Sequence, residues 1–307
     1  MNLAVLMTCH NRRETTLRCL RSLVAAIQEY KNSTVQPPTS NLQPIFHLFL
    51  VDDGSTDGTS EAVHEWYNST LFHSSLFTLH LIHGNGSLFW AKGMSLAWRT
   101  ALEYELQTSN SKLQTKFSHF LWLNDDVVLS PNSICSLCST QQKSESVVVG
   151  SCSDKNGQST YGVMDSHDVR IQPSTSREAR WFNGNVVLVP HEICDKVGII
   201  SDEYSHARAD YDYAERLHLA GIPIIGTPEY VGVCENDKDE KCRGLSLFAR
   251  IARMWRPGYY NLHDLWLFKR KYYGLCRALI SCAHLIWISH KENSCNSYTS
   301  LTKTIEQ

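Results

Sequence analysis

The chain has 307 residues, 42% of them apolar and 20% charged, with a formal net charge of −2. That length can bury a large α/β core and carry an extension, and the lack of a basic field argues against nucleic acid as main partner. Eleven cysteines, odd in number and irregular in spacing, read as reduced thiols of a cytoplasmic protein.

Residues 3–7 form an apolar run that predicts a short buried strand ending in the polar turn 8–13. No basic leader precedes it, so the start reads as a first strand rather than a signal peptide. Asn11 stands three residues before Glu14, close to a capping-box pattern, and Leu17, Leu20, Val24 and Ile27 make one helical stripe. After a polar, Pro-containing loop, residues 45–51 read as a second strand running into Asp52-Asp53-Gly54-Ser55-Thr56-Asp57-Gly58-Thr59. A helix opens at residue 60. Residues 76–82 predict a third strand, ending in His83-Gly84-Asn85-Gly86-Ser87, and residues 93–106 a helix. The apolar run 120–129 is broken by Asn124, Asp125 and Asp126. Two adjacent carboxylates at a strand end can hold a divalent cation, or simply make an Asx turn.

Four alternations of strand, polar turn and helix imply a mostly parallel sheet covered by helices. Ligands of such sheets bind beyond the carboxyl ends of the strands, where strand order switches. Asn11, Asp52 with Asp53, and Asn124 with Asp125 and Asp126 are expected to gather there.

The second half is less regular. Ser130-Pro131 should start a helix with Pro at its first position, residues 147–149 a strand, and residues 151–180 a long loop. Trp181-Phe182-Asn183 precedes a strand at 186–189. A helix over 210–217 closes at Gly221 and leads to a strand at 222–225. Asp212 and Arg216, four apart, should pair on its surface, which leaves Asp210 at the first turn. Cys135-x-x-Cys138 lacks a second pair and reads as buried thiols rather than zinc ligands. Residues 1–240 make the main domain, and residues 241–307 a mainly helical extension with a polar tail. The segment 275–288 is too short to span a bilayer, which takes about 20 residues.

In this order the motifs Thr8-Cys9-His10-Asn11-Arg12, Val51 to Thr59, Leu123-Asn124-Asp125-Asp126 and Asp210-Tyr211-Asp212 resemble the family 2 glycosyltransferases of the GT-A fold. The resemblance covers about residues 3–227. Trp90-Ala91-Lys92-Gly93-Met94 after Gly84-Asn85-Gly86 is similar to bacterial members that build surface polysaccharides, rhamnosyltransferases among them.

The resemblance implies an inverting, metal-dependent transfer from a UDP- or dTDP-sugar to a hydroxyl of a glycan or lipid-linked acceptor. Asp126 then matches the ligand of Mn²⁺ or Mg²⁺, and Asp125 a ribose or metal-water contact. Asp52 matches the nucleobase partner beside Thr8 and Asn11, with Asp53 supporting the Gly54-Ser55 turn. Gly84 would let backbone approach the donor, and Lys92 would meet a phosphate. Asp210 matches the catalytic base, with Asp212 as the second candidate, and Trp181 and Asn183 would shape the acceptor pocket. Two positions depart from the family pattern: Asn124 replaces a carboxylate, and Ala209 stands where many members carry Glu. A non-catalytic nucleotide-sugar or glycan-binding protein of the same fold is the alternative. A nucleotidyltransferase or a dehydrogenase would need glycines in the turn after the first strand, and residues 8–13 contain none. The basic, aromatic extension suits a surface helix on an anionic membrane at the inner face, although packing on the core is the simpler reading.

Overall fold

The computed structural model describes residues 1–33, 44–69, 71–108, 116–141, 145–174, 179–236, 246–256 and 261–294. The chain divides into two compact units, Met1–Glu203 with Ala209–Asn236, and Tyr204–Arg208 with Asp237–Gln307.

The first unit runs β1 (Asn2–Cys9), α1 (Arg13–Asn32), β2 (Ile45–Asp52), α2 (Thr59–Asn68), α3 (Leu71–Leu76), β3 (Thr78–His83), α4 (Phe89–Thr108) and β4 (His119–Leu123). It continues with β5 (Val128–Leu129), α5 (Ser133–Gln141), β6 (Val147–Ser153), β7 (Ser159–Tyr161), β8 (Val163–Met164), β9 (Trp181–Phe182), β10 (Val186–Pro190), α6 (His191–Val197), α7 (Ala209–Leu219) and β11 (Ile224–Val233). Among the described residues one sheet has the order β3-β2-β1-β4-β10-β6-β11-β5, with β7 beside β6, while β8 and β9 pair separately.

Strands β3, β2, β1 and β4 are parallel to one another, β10 is antiparallel to both its neighbours, and β6 and β11 are parallel. This is the mixed α/β sheet of the GT-A fold. The central strands are buried on both faces, which explains why Leu3 to Met7 and Leu48 to Val51 read as unbroken apolar runs rather than alternating ones. From β1 the chain steps outward through β2 to β3, then returns past β1 to β4. That reversal leaves a crevice at the carboxyl ends of β1, β2 and β4.

Four local expectations need correction. The helix after Ser130 starts at Ser133, not Pro131, because Ser130 to Asn132 form a turn in which Ser133 N–H bonds to the Ser130 carbonyl. The third strand starts at Thr78, since Leu76 ends α3. The stretch 151–180 is not all loop: β6 reaches Ser153, and β7 and β8 follow. β11 also extends well past residue 225, to Val233, with register shifts on both sides of Tyr230. Pro228, which has no N–H to give a ladder, lies in that irregular stretch.

The second unit contains α8 (Leu247–Met254) and α9 (Leu262–Ser294), the latter kinked at Gly274 with φ 82°. Ser246 caps α8 by accepting from Ala249 N–H at 3.4 Å. Fully buried Asp264 accepts the backbone N–H groups of Ser205, His206 and Ala207 at 3.0–3.2 Å. Among the described residues no helix is long and apolar enough to cross a membrane.

Candidate active site

The segment that leaves β1 touches every other part of the crevice. Thr8 is buried against α4, where Gly93 leaves room for it; a Cβ on Gly93 would overlap Thr8 Oγ1. His10 Nδ1 donates to the Asp53 carbonyl at 2.6 Å. Asn11 adopts φ 50°, a left-handed conformation that Asn tolerates. Its N–H donates to Ser55 Oγ at 2.8 Å and its Oδ1 accepts Thr56 N–H at 2.7 Å. Arg12 then reaches Asp125 and Asp126. Five consecutive residues thus tie the ends of β1, β2 and β4 to the start of α4.

Asp52 and Asp53 are both buried, and they hold different loops. Asp52 Oδ1 accepts Ser55 N–H at 3.0 Å and its Oδ2 accepts the Ser60 hydroxyl, so Asp52 is the residue that supports the Gly54-Ser55 turn. Asp53 turns the other way. Its Oδ1 accepts Gly86 N–H at 2.8 Å, and its Oδ2 accepts Leu88 and Phe89 N–H, each at 2.9 Å. Phe89 is held at φ 55° by that contact, a backbone cost of about 1–3 kcal/mol for a bulky residue. Gly84 faces Asp53 rather than open space, since a Cβ there would come within 2.7 Å of Asp53 Oδ1. The two glycine loops also touch, with Gly54 against Gly86.

At the end of β4 the three polar residues point to three environments. Asn124 Oδ1 accepts the Trp90 indole N–H at 2.7 Å. Asp125 is buried, 3.2 Å from Arg12 Nη1 and 3.4 Å from Thr16 Oγ1. Burial pushes its carboxyl up to about 7, opposed by the Arg12 charge and helped by Asp126. The Asp126 side chain keeps 32% of its surface, with Arg12 Nη1 at 2.9 Å from Oδ2 and the Cys234 thiol at 3.5 Å from Oδ1. Among the described residues no three His, Cys, Asp or Glu side chains gather as a ready metal cage. Asp126 nevertheless fits a hard cation that takes its other oxygens from a phosphate.

Lys92 lines a cleft of about 370 Å³ with Leu88, Leu96, Arg99 and Asp202, where Arg99 pairs with Asp202 at 2.8 Å. Trp181 is buried, with the Tyr211 ring centre 5.0 Å away and tilted 30° to it, and the Arg180 guanidinium 4.2 Å from its ring centre. Asn183 donates its N–H to the Gly162 carbonyl at 2.9 Å, and its buried Oδ1 has no hydrogen-bond partner among the described residues.

Asp210 sits in the first turn of α7, half-buried, where the helix dipole favours an anion. Its Oδ1 accepts Tyr211 N–H at 3.0 Å. Asp212 is fully buried and bound to Arg216 Nε at 3.0 Å. The helix is held in place by aromatic packing: Trp122 of β4 lies 5.1 Å from Tyr213 and 6.2 Å from Trp90.

Arg12, Trp90, Phe89 and Cys234 are site residues that sequence reasoning missed. Arg12 and Trp90 lie inside motifs named above, but nothing in the sequence pairs Arg12 with Asp125 and Asp126 or Trp90 with Asn124.

The model of glycosyl transferase family 2 matches residues 4–195. In three dimensions the chain is similar to the mannosyltransferase PcManGT from Pyrobaculum calidifontis in complex with GDP-Man and Mn²⁺. The two share 16% identity and a TM-score of 0.54 over 99% of this chain and 83% of that one. It is also similar to residues 1–349 of S. aureus TarS, at 14% identity and a TM-score of 0.51, over 89% of this chain and 73% of that one. The same TarS fragment in complex with UDP-GlcNAc aligns at 13% identity and a TM-score of 0.51, with the same shares covered. No curated protein matches the sequence.

Proposed function

The chain belongs to glycosyl transferase family 2, and we propose that it moves a hexosyl or deoxyhexosyl group from a UDP- or dTDP-sugar to an acceptor hydroxyl, with inversion. The observation that supports this most is the Thr8–Arg12 segment, which joins Asp52 and Asp53 to Asp125 and Asp126 at one sheet edge. The acceptor is a glycan or lipid-linked glycan of a surface polysaccharide, in keeping with a rhamnosyltransferase-like motif around Trp90 and Lys92. The division into a transferase domain over 1–240 and an extension over 241–307 belongs to the same proposal. In the extension, Leu275, Leu279 and Ile280 are exposed near Arg270 and Arg277, a pattern suited to contact with an anionic membrane surface.

Six of these residues carry the proposed chemistry. Thr8, Asn11 and Asp52 frame the nucleobase, and Asp53 fixes the loop that closes over the donor. Asp126 would hold Mn²⁺ or Mg²⁺, which supplies neutralisation of the charge that develops on the departing diphosphate. Asp210 takes the proton from the acceptor hydroxyl as that oxygen bonds to the anomeric carbon and the sugar–phosphate bond breaks. Asp212 is fully buried whereas Asp210 is half-buried and reachable by an acceptor, which makes Asp210 the first choice as base.

A thermal-shift panel of nucleotide sugars with and without Mn²⁺ would identify the base and sugar, because a bound donor stabilises the folded state by mass action. With that donor, Asp126→Ala should lower transfer and donor hydrolysis about 100-fold or more. Asp210→Asn should abolish turnover while donor binding persists. Unchanged transfer in Asp126→Ala sinks the metal assignment, and near-normal turnover in Asp210→Asn moves the base to Asp212.

Two features favour the second reading, a non-catalytic binder: Asn124 is engaged by Trp90, and buried Ala209 supplies no carboxylate beside Asp210. Calorimetric binding of a donor with no hydrolysis or transfer of any nucleotide sugar would select it.

A further inference from the structure

Asp126 offers the most open carboxylate of its motif, yet one of its oxygens is already engaged. Arg12 Nη1 lies 2.9 Å from Asp126 Oδ2 and 3.2 Å from Asp125 Oδ1, so one guanidinium nitrogen bridges both acids. The other Asp126 oxygen meets the Cys234 thiol at 3.5 Å, a weak donor. Asn124 turns its Oδ1 to the Trp90 indole instead, at 2.7 Å. Arg12 itself combines a fixed root with a movable end. Its backbone follows Asn11, which Ser55 and Thr56 hold, while its side chain keeps 46% of its surface and makes no cap bond to α1.

We propose that Arg12 is a resident counter-cation which holds the place of the divalent ion until a nucleoside diphosphate arrives. The inference rests on the reading that Asp126 is the metal ligand. A lone Mn²⁺ approaching Asp126 meets a positive charge at contact distance and must break an ion pair to bind. A diphosphate changes that balance. Its negative charge can be shared by the metal and by the released guanidinium, whose planar fork suits phosphate oxygens. Metal and donor therefore load together, and the nucleotide-free protein binds metal weakly.

Mn²⁺ binding to the full chain is measured from the EPR signal of free Mn²⁺, with and without UDP and GDP, against protein-free nucleotide blanks. Arg12→Gln should tighten Mn²⁺ binding to the nucleotide-free protein by about fivefold or more, the lower end of ordinary coupling between two sites. It should also shrink the enhancement that nucleotide gives. Arg12→Lys, which keeps the charge, should bind Mn²⁺ as weakly as wild type without nucleotide, and adding Asp126→Asn to Arg12→Gln should remove the gain. A residue that only braced the fold would lower metal affinity when removed.

Unchanged or weaker Mn²⁺ binding in an Arg12→Gln protein that still melts cooperatively overturns the proposal, as does a gain that survives Asp126→Asn. If that variant does not fold, the wild type decides. Its Mn²⁺ affinity must rise by about fivefold or more with UDP or GDP, and equal affinity in all states sinks the idea. Failure of the catalytic reading looks different: the metal pattern would stand while no sugar is transferred. Mn²⁺-dependent transfer with no effect of Arg12→Gln on metal binding would be the reverse.

Discussion

Both oxygens of Asp53 accept backbone N–H groups, from Gly86, Leu88 and Phe89. Asn at this position keeps one acceptor oxygen and turns the other into a donor that faces donors. Hydrogen bonds to charged groups contribute about 1.5–3 kcal/mol, so Asp53→Asn should lower unfolding stability by about 2 kcal/mol in urea titration. Phe89, released from φ 55°, would relax toward negative φ, and donor affinity should fall with it. An unchanged urea midpoint would mean that the loop holds itself. At this scale the sequence showed which residues carry charge but not which atoms they meet. Asp52 and Asp53 are neighbours in the motif, yet alternate side-chain direction sends one to its own turn and the other to a loop more than thirty residues on. The Asp212–Arg216 pair was readable because the partners lie one helical turn apart, but its expected place on the helix surface was not borne out, since Asp212 is fully buried. Arg12 was not, because its partners lie 113 and 114 residues away.

Among the elements, β1 and α4 meet through the contact of Thr8 with Gly93. Ala at 93 gains about 1 kcal/mol of helix propensity over Gly, but its Cβ would press on a buried side chain at a cost of about 1–3 kcal/mol. Gly93→Ala should therefore leave stability nearly level or reduced by up to about 2 kcal/mol, while donor binding falls as Thr8 and the start of α4 part. Melting temperature and donor titration together check this, and intact donor affinity would show that Thr8 has no part in the site. The strands β1, β2 and β4 were legible because burial on both faces leaves long apolar runs. α3, the two-residue strands and the far end of β11 were not. Short elements carry too few residues for a period to emerge, and Pro228 reads as a break although the strand continues beyond it.

Taken as a whole, the first unit keeps an aromatic layer under β2 and β3 that contains a buried base. His47 lies among Phe49, Tyr104, Phe117 and His80, with ring centres 5.1–6.2 Å away, and its Nδ1 is 2.9 Å from His80 Nε2. Burial, and then the neighbouring His80, lower its pKa to about 4. His119, also lowered to about 4 by burial, acts in the same direction. A base whose folded pKa lies below its unfolded value binds fewer protons in the native state. The stability it permits is complete above about pH 6.5 and is lost as pH falls toward 4. For His47 the loss is on the order of 3 kcal/mol. Melting curves from pH 7 to 4 should show this decline, and His47→Phe should flatten it. An equally steep decline in that variant would place the acid sensitivity elsewhere.

The Arg12 bridge also has a kinetic meaning. Its two partners are separated from it by 113 and 114 residues, and β1 pairs with β4 across a similarly long stretch of chain. Long-range closures of this kind come late in folding because the entropy of the loop must be overcome first. Before then β1 has one open edge, and Asp125 and Asp126 lack their Arg12 partner. The site is therefore a product of completed topology, and no fragment lacking either strand can rehearse it.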